Sequence, residues 1–192
     1  ESPLQRAQRQ TENAVLEDNI EDRAVGIVFH ELMERLGRRN DREQWLLDND
    51  RLRGGVTQRL RHHCHPEPGL DDSVARVMEL VANTLNCEQG QWILASYQWQ
   101  ASEQTIRRMI GGQWQTLILD RVFIDQHRCW IVDYKTAKAK GNLQRFLAEQ
   151  AERYRSKMTI YQQALRATGV ECPISTALYF PAHQQLLVLD KA

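Results

Sequence analysis

No apolar run in this 192-residue chain approaches the roughly 20 residues that a bilayer-crossing helix needs, and no signal-peptide pattern opens it. A membrane partner is therefore not expected, and a cytoplasmic setting is. Excess charge is also missing, since 25 basic side chains balance 25 acidic ones. That argues against one large basic surface for nucleic acid, but not against local basic strips. Cysteine is sparse, and Cys64, Cys87, Cys129 and Cys172 form no CxxC pair. Neither a zinc ribbon nor an iron-sulfur framework is indicated, and free, mostly buried thiols are expected. A G-x-x-x-x-G-K-[ST] phosphate loop is absent as well, so no nucleotide is expected to be bound by these residues. The chain carries no internal repeat or low-complexity tract.

What is present is an ordinary globular composition, 42% hydrophobic and 26% charged, in a length that fits one domain with a full core. An opening on Glu1 leads us to expect part of a longer polypeptide. Residues 1–17 are polar without sustained apolar spacing and read as a linker; residues 18–90 read as a helical portion and 91–192 as the core of the domain. Val25, Val28, Leu32 and Leu36 recur at three- and four-residue spacing, which predicts a helix from Glu21 to Leu36 ended by Gly37. A second helix is expected from Arg42 to His62, interrupted at Gly54-Gly55. A third, capped by Asp71, Asp72 or Ser73, carries Val74, Val77, Val81 and Leu85. After residue 90 the period becomes extended, with strands expected at Trp92 to Gln100, Glu103 to Ile110, Gln113 to Ile124 and Cys129 to Thr136. Gly111-Gly112 reads as a hairpin turn. A long helix from Leu143 to Thr168, ended by Gly169, and strands at Ile174 to Phe180 and Gln185 to Leu189 complete an α+β pattern: a core sheet with a helical front end.

The chemistry lies in the segment from Leu117 to Thr136. A turn centred on Gln126-His127 sets Asp125 opposite Arg128 and, further up the ladder, Asp120 opposite Asp133. Opposed carboxylates are about 4.5–5.5 Å apart at Cβ and repel unless a positive charge lies between them, and a metal ion would resolve that conflict. Lys135, two residues beyond Asp133, projects to the same face. Hard oxygen ligands with open positions suit Mg²⁺ or Mn²⁺ better than zinc, and carboxylates beside a lysine make a hydrolytic set for phosphodiesters. The plainer alternative pairs Asp120 with Arg121 or another basic group and joins Asp133 to Lys135 in an edge-strand salt bridge. Ile118, Val122, Ile124, Ile131 and Val132 argue against it, because they place the charges in a buried sheet where unpaired carboxylates are costly.

The D…DxK arrangement, Asp120 followed by Asp133-Tyr134-Lys135, resembles the active-site signature of the PD-(D/E)XK nuclease superfamily. Gly26-Ile27-Val28-Phe29-His30 is similar to the G-x-x-x-H helix of the RecB-type nuclease domains found in RecB- and AddA-like helicase-nucleases of bacterial double-strand-break repair. Tyr154 to Ala164 resembles the helix after their DxK strand, with Tyr161 and Ala164 in matching positions. The resemblance runs from Gly26 to Phe180 and departs at Lys157, where the family usually carries a glutamine linked with strand positioning.

The resemblance implies a restriction-endonuclease-like mixed central sheet flanked by helices, and cleavage of DNA, with a single strand as the expected form, without sequence preference. It also implies helicase domains in a parent chain and a partner subunit. Asp120, Asp133 and Lys135 would be catalytic, with His30, Asp120, Asp133 and the Tyr134 carbonyl as metal ligands. Glu103, Tyr154, Lys157 and Tyr161 are auxiliary candidates, and Arg107, Arg108, Lys138, Lys140, Arg153 and Arg155 are candidate DNA contacts. The closely spaced C-terminal cysteines of the family's iron-sulfur members are absent, so no cluster is implied. Two rivals remain: a catalytically silent DNA-binding or scaffolding domain, and a zinc module on His62-His63-Cys64-His65, although adjacent side chains diverge and rarely close a tetrahedral site. The tryptophans are expected in the core, with stacking on bases as the lesser alternative.

Overall fold

A computed structural model describes residues 20–39, 49–63, 65 and 67–189. Five helices among the described residues sandwich a five-stranded sheet of order β1-β2-β3-β4-β5. The first helix, α1 (Ile20–Gly37), buries Val25, Val28, Leu32 and Leu36 as its spacing predicts, with Glu21 and Asp22 at its positive end and Arg35 in its last turn. The second, α2 (Asn49–His62), runs through Gly54-Gly55 without interruption. Each glycine costs a helix about 1 kcal/mol, and burial of Leu52, Val56 and Leu60 at four-residue spacing outweighs that. Residues 42–48 of the expected second helix lie outside the described residues.

The third helix, α3 (Leu70–Asn86), starts earlier than expected. Its N-cap is Gly69, at φ 83, where a side chain would be strained, and no side chain caps it. Ser73, expected as a cap, instead bonds the buried His65. The expected strand from Trp92 to Gln100 is not formed. Trp92 to Leu94 belong to a short helix, α4 (Glu88–Leu94), capped by the Cys87 side chain. Ile93 and Leu94 are both buried, which a half-covered strand, sending neighbours to opposite faces, does not achieve for adjacent residues.

The sheet comprises β1 (Gln100–Ile110), β2 (Gln113–Asp125), β3 (Arg128–Tyr134), β4 (Ile174–Phe180) and β5 (Gln185–Val188). Neighbours are antiparallel except β3 and β4, which are parallel and joined through α5 (Leu143–Arg166). The expected turn at Gln126-His127 is present, with φ 45 and 60, and Asp125 pairs with Arg128 as expected. Positive φ at both central residues matches the twist of the flanking strands. Asn142 caps α5 through its side chain.

Helices α1 to α4 cover one face of the sheet, packing Phe29, Leu32, Val56, Val77 and Ile93 against Phe123, Val132, Tyr134 and Tyr179. On the opposite face Met158, Tyr161 and Leu165 of α5 pack against Leu119, Val122, Ile131 and Leu178. These layers give the mixed α+β, restriction-endonuclease-like fold expected from the sequence. Cys87 and Cys129 are buried and free, and Cys172 is half-buried and free. Trp92 and Trp130 pack together, whereas Trp99 and Trp114 are 40% and 64% exposed, contrary to the expectation of core positions.

One irregularity positions the site. Ser102 pairs with Arg121 and Gln104 with Leu119, so the β1–β2 ladder skips Glu103 and Asp120. Leu119 belongs to the α5 side, yet Arg121, two residues on, reaches the Ile93 carbonyl on the helical side. The pleat alternation therefore breaks at this pair, although the register is the same on both sides of it and neither strand carries an extra residue. Glu103 itself stands at φ 53, a conformation that costs a non-glycine residue about 1–3 kcal/mol and is held by its surroundings.

Candidate metal centre and active site

The break turns Asp120 toward α1. Its Oδ2 accepts a hydrogen bond from the Tyr134 backbone N–H at 2.8 Å and lies 3.3 Å from His30 Nδ1. The other ring nitrogen of His30 is 3.1 Å from the Tyr134 carbonyl oxygen. Both neighbours are acceptors, so this arrangement favours a proton on each ring nitrogen. Burial pushes the His30 pKa down, but Asp120 outweighs it and the net direction is up. Glu103, half-buried across from Asp120, is raised by burial and then by the Asp120 charge. Ligand atoms of His30, Glu103 and Asp120 lie within 4.8 Å of one another. A nitrogen and two carboxylates at that spacing fit a small divalent cation.

Asp133 faces the other way, toward α5. It is 1% exposed, with Lys157 Nζ 2.8 Å from Oδ1 and Lys135 Nζ in close contact with Oδ2. Burial alone would raise its pKa, but the two ammonium groups hold the carboxyl well below the usual range. The Lys157 pKa is lowered by burial and raised further by Asp133, for a net rise. Each lysine also lies over a tyrosine of α5, Lys135 at 4.1 Å from the Tyr154 ring and Lys157 at 5.0 Å from that of Tyr161. Burial pushes the Tyr161 hydroxyl up to about 12, with Lys157 acting in the opposite direction. The Lys135 backbone is tied to β4 by its N–H to the Tyr179 carbonyl.

The sequence placed Asp120 and Asp133 face to face. The structure instead gathers His30, Glu103 and Asp120 on the helical side and Asp133, Lys135 and Lys157 on the α5 side, with Tyr134 between them. The pairing of β2 with β3 stops at Arg121 and Val132, and the break in the pleat at Asp120 sends the two carboxylates apart. The Asp120–Arg121 pair does not form: Arg121 is buried and donates to the Ile93 and Ala95 carbonyls and to Gln100. Glu103 enters the cluster more centrally than its strand-edge position foretold. The signal was available, because a turn at Gly111-Gly112 sets residue 103 opposite 120.

The remaining candidates are dispersed. Lys138 and Lys140 line a cavity of about 520 Å³ with Asp22, Arg76 and Thr136, directly after the Lys135 strand end. Arg107 and Arg108 lie on the β1–β2 hairpin, and Arg153 and Arg155 on the exposed side of α5. The histidine cluster does not converge: His63 bonds Glu31 at 2.7 Å, His65 bonds Ser73 at 2.7 Å, and His62 is exposed. Cys64 is outside the described residues.

The family model of the PD-(D/E)XK nuclease superfamily matches residues 4–188. This chain belongs to the PD-(D/E)XK nuclease superfamily. Membership makes it a hydrolase of the metal-dependent nuclease class, with a divalent metal ion as its cofactor and DNA as its substrate class. The D…DxK residues of this PD-(D/E)XK protein are those on the two sides of Tyr134. No curated protein matches the chain. No described helix is long and apolar enough to cross a membrane.

Proposed function

We propose that this chain is a RecB-type nuclease domain that hydrolyses DNA phosphodiester bonds without sequence preference. It acts in double-strand-break repair and recombination, with exonuclease-like action on a single strand fed by helicase domains of a parent chain in the cytoplasm, and with a partner subunit. The observation that carries the reading is the convergence of His30, Glu103 and Asp120 within 4.8 Å beside a buried carboxylate held by two lysines.

In this reading His30, Glu103 and Asp120 would hold a Mg²⁺ or Mn²⁺ ion beside the Tyr134 carbonyl, and Asp133 would join the ligand set only on leaving its lysines. Such an ion polarises a phosphoryl oxygen and acidifies an attacking water. Lys135 then orients that water and steadies the charge developing on the phosphate. Asp133 keeps Lys135 aimed, and the Tyr154 ring lies against its ammonium group. His30 must give up the proton on its ligating nitrogen before it can bind the ion.

A second reading has one observation in its favour. Both Asp133 oxygens are engaged by lysines, as would suit a domain that binds DNA or scaffolds a repair complex without cutting. Labelled single-stranded and duplex DNA incubated with Mg²⁺, Mn²⁺ or EDTA separates the two. Cleavage that needs metal and is lost in a folded Lys135→Ala variant supports the nuclease; binding without cleavage, in the isolated chain and in its parent complex, supports the silent domain.

A further inference from the structure

Glu103 and Asp120 are the two feet of a hairpin. Residues 104–119 run out from them along β1, around Gly111-Gly112, and back along β2, and contain no Asp or Glu. Opposed residues of an antiparallel pair share a face. Thr105 pairs with Ile118, Arg107 with Thr116 and Met109 with Trp114, so these six form one face of the ribbon, and all six are exposed. Trp114 is 64% exposed, Met109 55% and Ile118 46%. The Arg107 guanidinium lies 5.9 Å from the Trp114 ring centre. On the reverse face Ile106 and Leu117 are buried in the α5 core. The bare face therefore lies on the side of the sheet that carries α1 and His30.

We propose that this face is a stacking platform for an unpaired nucleic-acid strand leading to or from the metal centre, an inference that rests on the nuclease reading and adds to it a place for the substrate. Charge decides the class of occupant: Arg107 on this face, with Arg108 on the reverse of the same ribbon and no acidic residue between the feet, attracts a polyanion. Shape decides its form. A flat indole flanked by a guanidinium and a thioether offers contact to base faces, which are available in an unpaired strand and hidden in a duplex. Seven residues of β-strand reach about 23 Å, so the ribbon supports several nucleotides beyond the reacting one.

The test uses the 192-residue chain and a fluorescein-labelled oligothymidylate in EDTA, read by anisotropy so that binding is measured without cleavage. Trp114→Ala should weaken binding about tenfold or more, Trp114→Phe should recover most of it, and Arg107→Gln should flatten the salt dependence by about one ion. Circular dichroism and an unchanged Mn²⁺ titration show that fold and metal centre are intact. Unchanged affinity in Trp114→Ala, or an equal loss for blunt duplex, overturns the proposal. Self-association that Trp114→Ala abolishes while oligothymidylate binding persists also overturns it, and makes the face a protein interface. Wild-type protein that binds through Trp114 yet cuts nothing with any metal contradicts the nuclease reading and leaves the platform standing. Cleavage with a DNA affinity indifferent to Trp114 does the reverse.

Discussion

Asp120 and Asp133 belong to one sequence signature but stand in opposite electrostatic surroundings. Asp120 shares its space with another carboxylate, Glu103, and with a histidine whose charge depends on pH. Asp133 is buried between two permanent ammonium groups. The first cluster has more negative charge than its own residues neutralise and gains from a cation. The second sets two ammonium groups against one carboxylate, so it already carries excess positive charge and gains nothing from a cation until a charge is rearranged. In the proposed reading the difference gives metal capture chiefly to the helical side, and orientation of the lysines chiefly to the α5 side.

The comparison breaks most visibly if the lysine-rich side loses its one carboxylate. Asp133→Ala leaves Lys135 and Lys157 facing each other without a counter-charge, and loss of one partner of a buried ion pair costs about 3–5 kcal/mol. Urea denaturation should show it; a loss below about 1 kcal/mol would mean that the lysines leave Asp133 readily. On the other side, Asp120→Asn should retain the bond from Tyr134 N–H through its amide oxygen and fold normally. Mn²⁺ binding and DNA cleavage should each fall by about 10²-fold, read by calorimetry and gel assay.

A smaller effect is expected from Lys157→Gln, because Lys135 still neutralises Asp133. Stability should fall by about 1–2 kcal/mol, while Mn²⁺ affinity stays the same or rises as Asp133 is partly released. Glu103→Gln should do the opposite, weakening Mn²⁺ with little change in stability. Equal responses of the two variants in both assays would erase the distinction between the clusters.

Acid sharpens the comparison further. The raised pKa of His30 stabilises the metal-free protein below the unfolded value of 6.5, and that stability is lost as pH rises through the folded pKa. Glu103, also raised, adds to the loss above its unfolded value of 4.5. Asp133 has the opposite sign: its lowered pKa gives stability present above 3.8 and lost on further acidification. The Tm of the metal-free protein should therefore peak between about pH 4 and 6.5. With Mn²⁺ present, affinity should fall by up to about tenfold per pH unit once His30 protonates. A metal-free Tm that climbs steadily from pH 5 to 8 would contradict the assignment.

Much of this was legible before the fold was seen. The heptad-like spacing of Val25 to Leu36 fixed α1, and turn arithmetic around Gln126-His127 set the β2–β3 register. D…DxK identified both carboxylates. What failed did so where a local rule meets a tertiary constraint. Alternation of faces assumes an unbroken pleat, and the break at Glu103 and Asp120 sends the carboxylates apart. Trp92-Ile93-Leu94 is apolar enough for a strand, but the Cys87 cap and the burial of adjacent residues make it helical. Trp114 was assigned to the core because tryptophan usually is, and no local signal marks a ribbon that extends past its covering helices.

The most direct test of the central claim is Mn²⁺ titration by calorimetry on the wild type and on Asp120→Asn, followed by DNA cleavage with the same preparations. The account predicts a wild-type site that binds Mn²⁺ and cuts DNA, with both properties lost together in the variant while the fold is retained. Mn²⁺ binding and cleavage that persist in Asp120→Asn would place the metal elsewhere and contradict it.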